Sequence, residues 1–307
     1  MNAITLTLDT IQLLPAQSYL NLTVFPLLSP DPALQSYLTL DEALEQDLAS
    51  ITELTQSGVV PELRFDNLSD KQILLLDGEE LVGAKQNRVL NITILVGGFA
   101  KITIPVSCVE RGRWHHLSRE FRSAKRHMYA KARAAKMAQV SMSMRTHGSR
   151  QSDQSAVWAE ISAKSQRLGS HSATEAMAAM YEKESGRLEG FERAFHPLDK
   201  QVGAVFAING QILGAELFDS ANVFKRLLNK LVGSYAMDAI EEPDQQREAV
   251  SEQAVMEFLS RIKASAIESF PAVGEGQDLR LHGRGISGGA LLADGQVVHL
   301  SAFSIAE

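Results

Sequence analysis

Residues 77–91 read Asp-Gly-Glu-Glu-Leu-Val-Gly-Ala-Lys-Gln-Asn-Arg-Val-Leu-Asn. They crowd three acids, two cations and three amides among strand-forming residues. Burying such groups without partners costs ~2–7 kcal/mol for an amide or hydroxyl and more for a charge. If the chain is extended here, side chains alternate between faces. Glu79, Lys85, Asn87, Asn91 and Thr93 then share one face, and Arg88, Leu90, Ile92, Ile94 and Val96 the other. A polar face of this kind fits a ligand site, with a solvated sheet face as the plain alternative; asparagine is depleted in strands and weakens that alternative. Glu79, Glu80 and Glu110 offer carboxylates for acid–base work or for Mg²⁺, a cation that prefers hard oxygen ligands. Lys85, Arg88, Arg111 and Arg113 offer phosphate recognition. Gln86, Asn87 and Asn91 would orient polar groups, and Trp114 would stack on a base or sugar or serve as a core lid.

Other chemistry is sparser. Cys108 follows Ile102, Ile104 and Val106 in period two, which favours a buried, inert thiol over a nucleophile activated by Arg111 or a nearby His. His115 and His116 are adjacent and point apart in regular structure, so zinc is not expected there. Gly283–Gly289, with His282 and Arg284, could close over an anion or be a plain inter-strand turn. Neither a dinucleotide fingerprint nor a P-loop is present.

The motif must be positioned by the rest of a chain of 307 residues, 45% hydrophobic and 22% charged, a globular composition. A single cysteine excludes an internal disulfide. With no apolar run near the ~20 residues of a membrane span and no signal-peptide pattern, the cytoplasm is the expected compartment and no membrane partner is expected. The net charge of −7 is uneven: residues 111–150 hold eleven Lys/Arg against Glu120, or +10, leaving −17 elsewhere. Such a block reads as a surface for phosphate, nucleic acid or an acidic partner, or as one that docks on this chain's own acids or on another copy in a homo-oligomer.

The expected fold class is α+β: an antiparallel β-rich N-terminal half (1–116), a helical basic insert (117–200), and a C-terminal half of helices and β-hairpins (201–307). The first and last segments are free to share a core. Strands are expected at Ile4–Leu14, Leu20–Leu28, Ser50–Thr55, Glu62–Phe65, Gln72–Leu76, Leu81–Val96 and Lys101–Glu110. A short helix at Asp41–Leu48 is opened by Thr39 or Asp41. Phe121, Ala124, Met128, Ala132 and Ala135 suggest one basic helix over Leu117–Gln139, then a mobile connector at Val140–Ser155. Further helices are expected at Ala156–Leu168, Ala173–Phe191, Ala221–Met237 and Gln246–Phe270. Hairpins are expected at Asp77-Gly78, Asn209-Gly210 and Asp294-Gly295, whose like surroundings allow a distant duplication.

The string Leu-Asp-Gly-Glu-Glu-Leu-Val-Gly-Ala-Lys-Gln-Asn-Arg, with Pro-Val-Ser-Cys-Val-Glu-Arg-Gly-Arg-Trp at 105–114, resembles the ARG-and-rhodanese-phosphatase-superfamily-associated protein domain family. ARG stands for ADP-ribosylglycohydrolase. The resemblance covers residues 70–116 at least, implies a role near nucleotide or ADP-ribose metabolism by association, and brings no activity to carry over. The leading expectation is a domain that binds or processes a phosphorylated, nucleotide-like ligand on the 77–91 hairpin and the 105–114 strand. Whether a bond is broken is left open. The alternative is a non-catalytic module that binds nucleic acid or a partner protein through the basic helix 117–139, or an oligomeric scaffold.

Overall fold

A computed structural model describes residues 2–55, 58–243, 245 and 249–305. The first half runs α1 (Ala3–Thr10), β1 (Gln12–Leu13), β2 (Gln17–Tyr19), β3 (Leu22–Leu28), β4 (Leu38–Thr39), α2 (Leu40–Glu45), β5 (Ala49–Glu53) and β6 (Glu62–Asn67). Next come β7 (Ile73–Leu75), β8 (Glu79–Gly83), β9 (Arg88–Leu90), β10 (Ile94–Val96), β11 (Lys101–Cys108) and β12 (Phe121–His127). Four helices follow: α3 (Ala130–His147), α4 (Gln154–Arg167), α5 (Ala178–Lys183) and α6 (Ser185–Ala194). The chain then forms β13 (Gln201–Ile208), β14 (Gln211–Phe218), α7 (Ala221–Glu241), α8 (Glu252–Ala264), β15 (Ala266–Pro271), β16 (Gln277–Gly283), β17 (Ile286–Ala293) and β18 (Gln296–Ser304). The class is α+β with sheets that are antiparallel apart from the β4–β7 pair.

A nine-stranded sheet runs β1-β3-β13-β14-β18-β17-β16-β15, with β2 beside β3. It joins the two ends of the chain, because β3 pairs with β13 from Leu22↔Ile208 to Leu28↔Gln201. Every residue of β13 is buried, as expected of a strand covered on both faces. Ala204, Phe206 and Ile208 face a core with α7, while Val205 and Ala207 face a second core with α1 and α8. A six-stranded sheet, β12-β8-β9-β11-β6-β5, and a three-stranded sheet, β10-β7-β4, enclose a third core.

Several local expectations change. Ile4–Leu14 begins as helix, not strand: Asn2 accepts from Thr5 N at 2.8 Å, and Ile4 and Leu8, one turn apart, are the buried pair. Thr39 caps α2 in a full capping box with Glu42. Leu81–Val96 divides into β8, β9 and β10, so the single polar face does not exist. The β8–β9 hairpin turns through Ala84-Lys85-Gln86-Asn87, which puts the amides in a loop where asparagine is at home. Asp77-Gly78 is no hairpin turn, because β7 pairs in one sheet and β8 in another. The other two turns have both central residues at positive φ (48° and 74°; 49° and 77°), the type I′ signature.

Leu117–Gln139 is not one helix. Its first part is β12, paired with β8, and the helix starts only at Ala130. That helix runs on through the expected connector to His147, where Gly148 caps it at φ 65°. The last expected helix also shortens, to α8, and Ala266–Pro271 is strand; residues 246–248 lie outside the described residues.

Candidate functional site

The acids of the Asp-Gly-Glu-Glu motif are all buried, and each meets a cation from another element. Asp77 takes Lys136 Nζ and, at 3.6 Å, Arg133 Nε, both from α3. Arg133 reaches on to Glu216 of β14 at 2.7 Å, Glu216 to His299 Nε2 at 3.1 Å, and His299 Nδ1 to Thr93 at 2.9 Å. Arg133 passes over Gly78, where a Cβ would lie 2.8 Å from its Cδ and Nε; with φ +84°, the position suits glycine twice over. Glu79 takes Lys230 of α7 at 2.6 Å, and Lys230 also holds Asp41 at 2.8 Å. Burial raises the Glu79 carboxyl above its usual range although Lys230 opposes it. Among these cations His127, buried with neither ring nitrogen hydrogen-bonded among the described residues, is held neutral by burial and then by Arg133 and Lys230.

The hairpin loop is tied down as well. Gln86 Oε1 accepts from Arg88 Nη1 at 3.0 Å and from the Cys108 thiol at 3.2 Å. Burial pushes that thiol up, against the pull of Arg88, so Cys108 is an inert core residue. Asn91 accepts from Ser107 at 2.6 Å and donates to Arg150 O at 2.9 Å. Lys85 and Arg88 stand 5.3 and 5.9 Å from the Trp114 ring, whose face serves cations. Arg113 is buried and spends its guanidinium on Glu110, Ala84 O, Gly83 O, His115 O and Asn87 Oδ1. It is a clamp for the loop and has no donor left for phosphate. Glu110 is drawn the other way from its neighbours: burial would raise it, but Arg113, Thr174 and the Asn87 N–H hold it below the usual carboxylate range.

One face of this assembly opens to solvent. A cleft of about 530 Å³ is walled by Val82, Gly83, Asn87, Glu110, Arg113, Leu117, Ser118, Arg122, Arg126, Ala178 and Glu182. Gly83 (φ +126°) lets Ser118 and Glu120 close on β8, where a Cβ would lie 2.6 Å from Ser118 Oγ. The β12 strand bulges between Ser123 and His127, with Lys125 at φ 55°. The bulge sets Arg126 over Glu80, Nε to Oε2 2.8 Å but out of hydrogen-bonding line. Glu80 is wholly buried behind the cleft. Burial, only partly offset by Arg126 and augmented by Glu110 and Glu182, pushes its carboxyl up to about 7. Arg126 also touches the Tyr181 ring face, 5.5 Å from its centroid, and Arg122 is exposed.

Of the expected site residues, then, Asn87, Glu110 and Arg113 line the cleft and Glu80 backs it. Glu79, Gln86, Arg88 and Asn91 are turned to internal partners. Arg111 lies outside, 3.9 Å from Glu175 and over Trp158. His282 and Arg284 belong to the nine-stranded sheet, at and just after the end of β16, and do not line the cleft. Glu79, Glu80 and Glu110 each face a different cation, Lys230, Arg126 and Arg113, and Glu110 lies near enough to Glu80 to repel its charge. Among the described residues no group of three or more His, Cys, Asp or Glu is placed to hold a metal ion.

The basic block is largely neutralised within the chain. Arg111, Arg113, Lys125, Arg126, Lys131, Arg133, Lys136, Arg145 and Arg150 each pair with an acid, which among the described residues leaves two of the eleven, Arg119 and Arg122, without one. Docking on the chain's own acids accounts for the charge asymmetry. Arg122, Arg126 and Glu182 went unread as site residues, the first two because Phe121-Arg-Ser-Ala-Lys-Arg-His has little strand character to announce β12.

The model of the ARG and Rhodanese-Phosphatase-superfamily-associated Protein domain family matches residues 10–303, nearly the whole chain, and the chain belongs to that family. No curated protein and no solved structure matches it. No helix among the described residues is long and apolar enough to cross a membrane.

Proposed function

We propose that this family member binds a phosphorylated, nucleotide-like ligand in the cleft between β8, β12 and α5. Arg122 and Arg126 take the phosphate, and Asn87, Ser118 and Glu182 meet its neutral polar groups. The observation that carries this reading is the position of Arg122. Among the described residues it is one of the two cations of the basic block without an ion pair to an acid, and it lines the same cleft as Arg126. Guanidinium pairs are the common protein answer to phosphate geometry. The ARG in the family's name, which stands for ADP-ribosylglycohydrolase, supports by association a ligand of the NAD or ADP-ribose class. Ligand binding is the activity this reading assigns to the cleft.

Thermal-shift measurements with NAD, ADP-ribose, mononucleotides and inorganic phosphate, with and without Mg²⁺, test the proposal. A ligand at ~100 times its Kd adds about 2.7 kcal/mol, or roughly 4 °C for a chain of this size. The shift is expected for one ligand class and is expected to vanish in Arg122→Ala. No shift with any ligand, or a shift unchanged in Arg122→Ala, rejects the assignment.

A further inference from the structure

We propose that an anion entering the cleft draws Arg126 away from Glu80, and that Glu80 takes up a proton from solvent as it does so. The inference rests on the cleft being an anion site and adds how that site is regulated. Glu80 is fully buried, and among the described residues its oxygens accept no well-formed hydrogen bond and its one cation is Arg126. Arg126 is 23% exposed, lines the cleft, and approaches Glu80 out of line, so the same guanidinium serves both the buried carboxylate and any anion outside.

The other groups around Glu80 do not replace Arg126. Glu110, from the end of β11, and Glu182, on α5, are acids and repel its charge. Tyr181 donates its hydroxyl to His127 O, and Arg113 is committed to Glu110 and the loop. Asn87 contributes a neutral amide, which steadies the carboxylate only weakly. When an anion holds Arg126, the ionised carboxylate is left buried among two acids, an arrangement costing several kcal/mol. A proton from bulk water bound to the carboxylate removes that charge. No bond besides O–H forms, and the anion brought in is matched by the proton taken up.

Sign and window follow from linkage. Free Glu80 already titrates at about 7, and losing Arg126 moves it higher. Below that value the carboxyl is protonated with or without ligand, and affinity is flat. Above it the affinity falls, by up to ~10-fold per pH unit.

The test is calorimetric titration of the full chain with sulfate, in buffers of different ionisation enthalpy at about pH 7.5. Sulfate keeps its charge over this range, whereas a phosphate monoester loses a proton near pH ~6 and would blur the count. Free Glu80 is about a quarter protonated at that pH, so wild type is expected to take up between about half and three quarters of a proton per sulfate. Glu80→Gln, isosteric and uncharged, is expected to bind sulfate with no uptake. Sulfate binding without proton uptake in wild type overturns the proposal, as does equal uptake in Glu80→Gln. Should that variant fold poorly, the wild-type proton count and its pH dependence decide alone. Failure of sulfate to bind folded wild type, or binding that survives Arg122→Ala, strikes the cleft assignment itself and this inference with it.

Discussion

Lys230→Met removes the cation that α7 offers to Glu79 and keeps most of the side-chain volume. Lys230 and Glu79 are both buried, and their pairing at 2.6 Å is the direct tie between α7 and the Asp-Gly-Glu-Glu motif. Removing one partner of a buried ion pair costs about 3–5 kcal/mol, because the other charge stays in place without compensation. Asp41, 23% exposed, is resolvated easily, so the cost sits on Glu79. With an unfolding entropy of about 2.1 cal/mol/K per residue, a loss of about 3–5 kcal/mol in 307 residues lowers Tm by about 5–8 °C. Burial already raises Glu79, and without Lys230 it rises further. A carboxyl raised in the folded state contributes stability below its unfolded value and loses it as pH climbs through the folded one. The deficit of Lys230→Met is therefore expected to be greatest at pH values well above the raised Glu79 range and to shrink as the pH falls and Glu79 takes up a proton. Glu79→Gln in the same background is expected to recover part of the loss, a coupling above about 1 kcal/mol in a double-mutant cycle. Denaturant midpoints and calorimetry on the four proteins measure it. A single variant within about 1 kcal/mol of wild type, or a deficit independent of pH, would refute the claim that this pair is a dry tie.

Further expectations concern the same assembly. Glu80 moves from the usual 4.5 to about 7, worth about 3 kcal/mol, so wild-type stability should fall between those pH values and Glu80→Gln should flatten that slope in urea midpoints taken across it. Gly78→Ala forces a Cβ against Arg133 at positive φ and should cost about 1–3 kcal/mol; a neutral result would mean that Arg133 has another path past the turn. Cys108 should react with an aromatic disulfide reagent only on unfolding, and prompt labelling of the native protein would contradict its burial.

The sequence disclosed the antiparallel character, a short helix capped at Thr39 or Asp41, the hairpin turns at Asn209-Gly210 and Asp294-Gly295 and the burial of Cys108, because each depends on neighbours a few residues away. It also marked Asp77–Asn91 as a place where polar groups are gathered under constraint. What it did not disclose is where those groups point. The partners of Asp77, Glu79 and Glu80 stand 59, 151 and 46 residues away, on α3, α7 and β12, and no local pattern encodes them. The polar face drawn from strand parity failed for a local reason: Ala84-Lys85-Gln86-Asn87 turns the chain. The basic helix failed where Arg122 and Arg126 lie on a bulged strand held by tertiary pairing instead of by propensity. Lysines and arginines that read as a solvated surface proved to include Arg133 and Lys136, among the most deeply buried side chains in the molecule.

The pairing of β3 with β13 has a consequence for how the chain is made. Leu28 must wait for Gln201 before its strand has a partner on that side, and the Asp77 acid must wait for α3. At ~5–20 residues per second, that interval on the ribosome is on the order of 10–35 s. Through it the N-terminal segment carries an apolar strand without its cross-sheet neighbour and a Glu79 carboxylate without Lys230. A nascent chain stopped near residue 200 is thus a client for holding chaperones and proteases, and release from that state comes with synthesis of the last third.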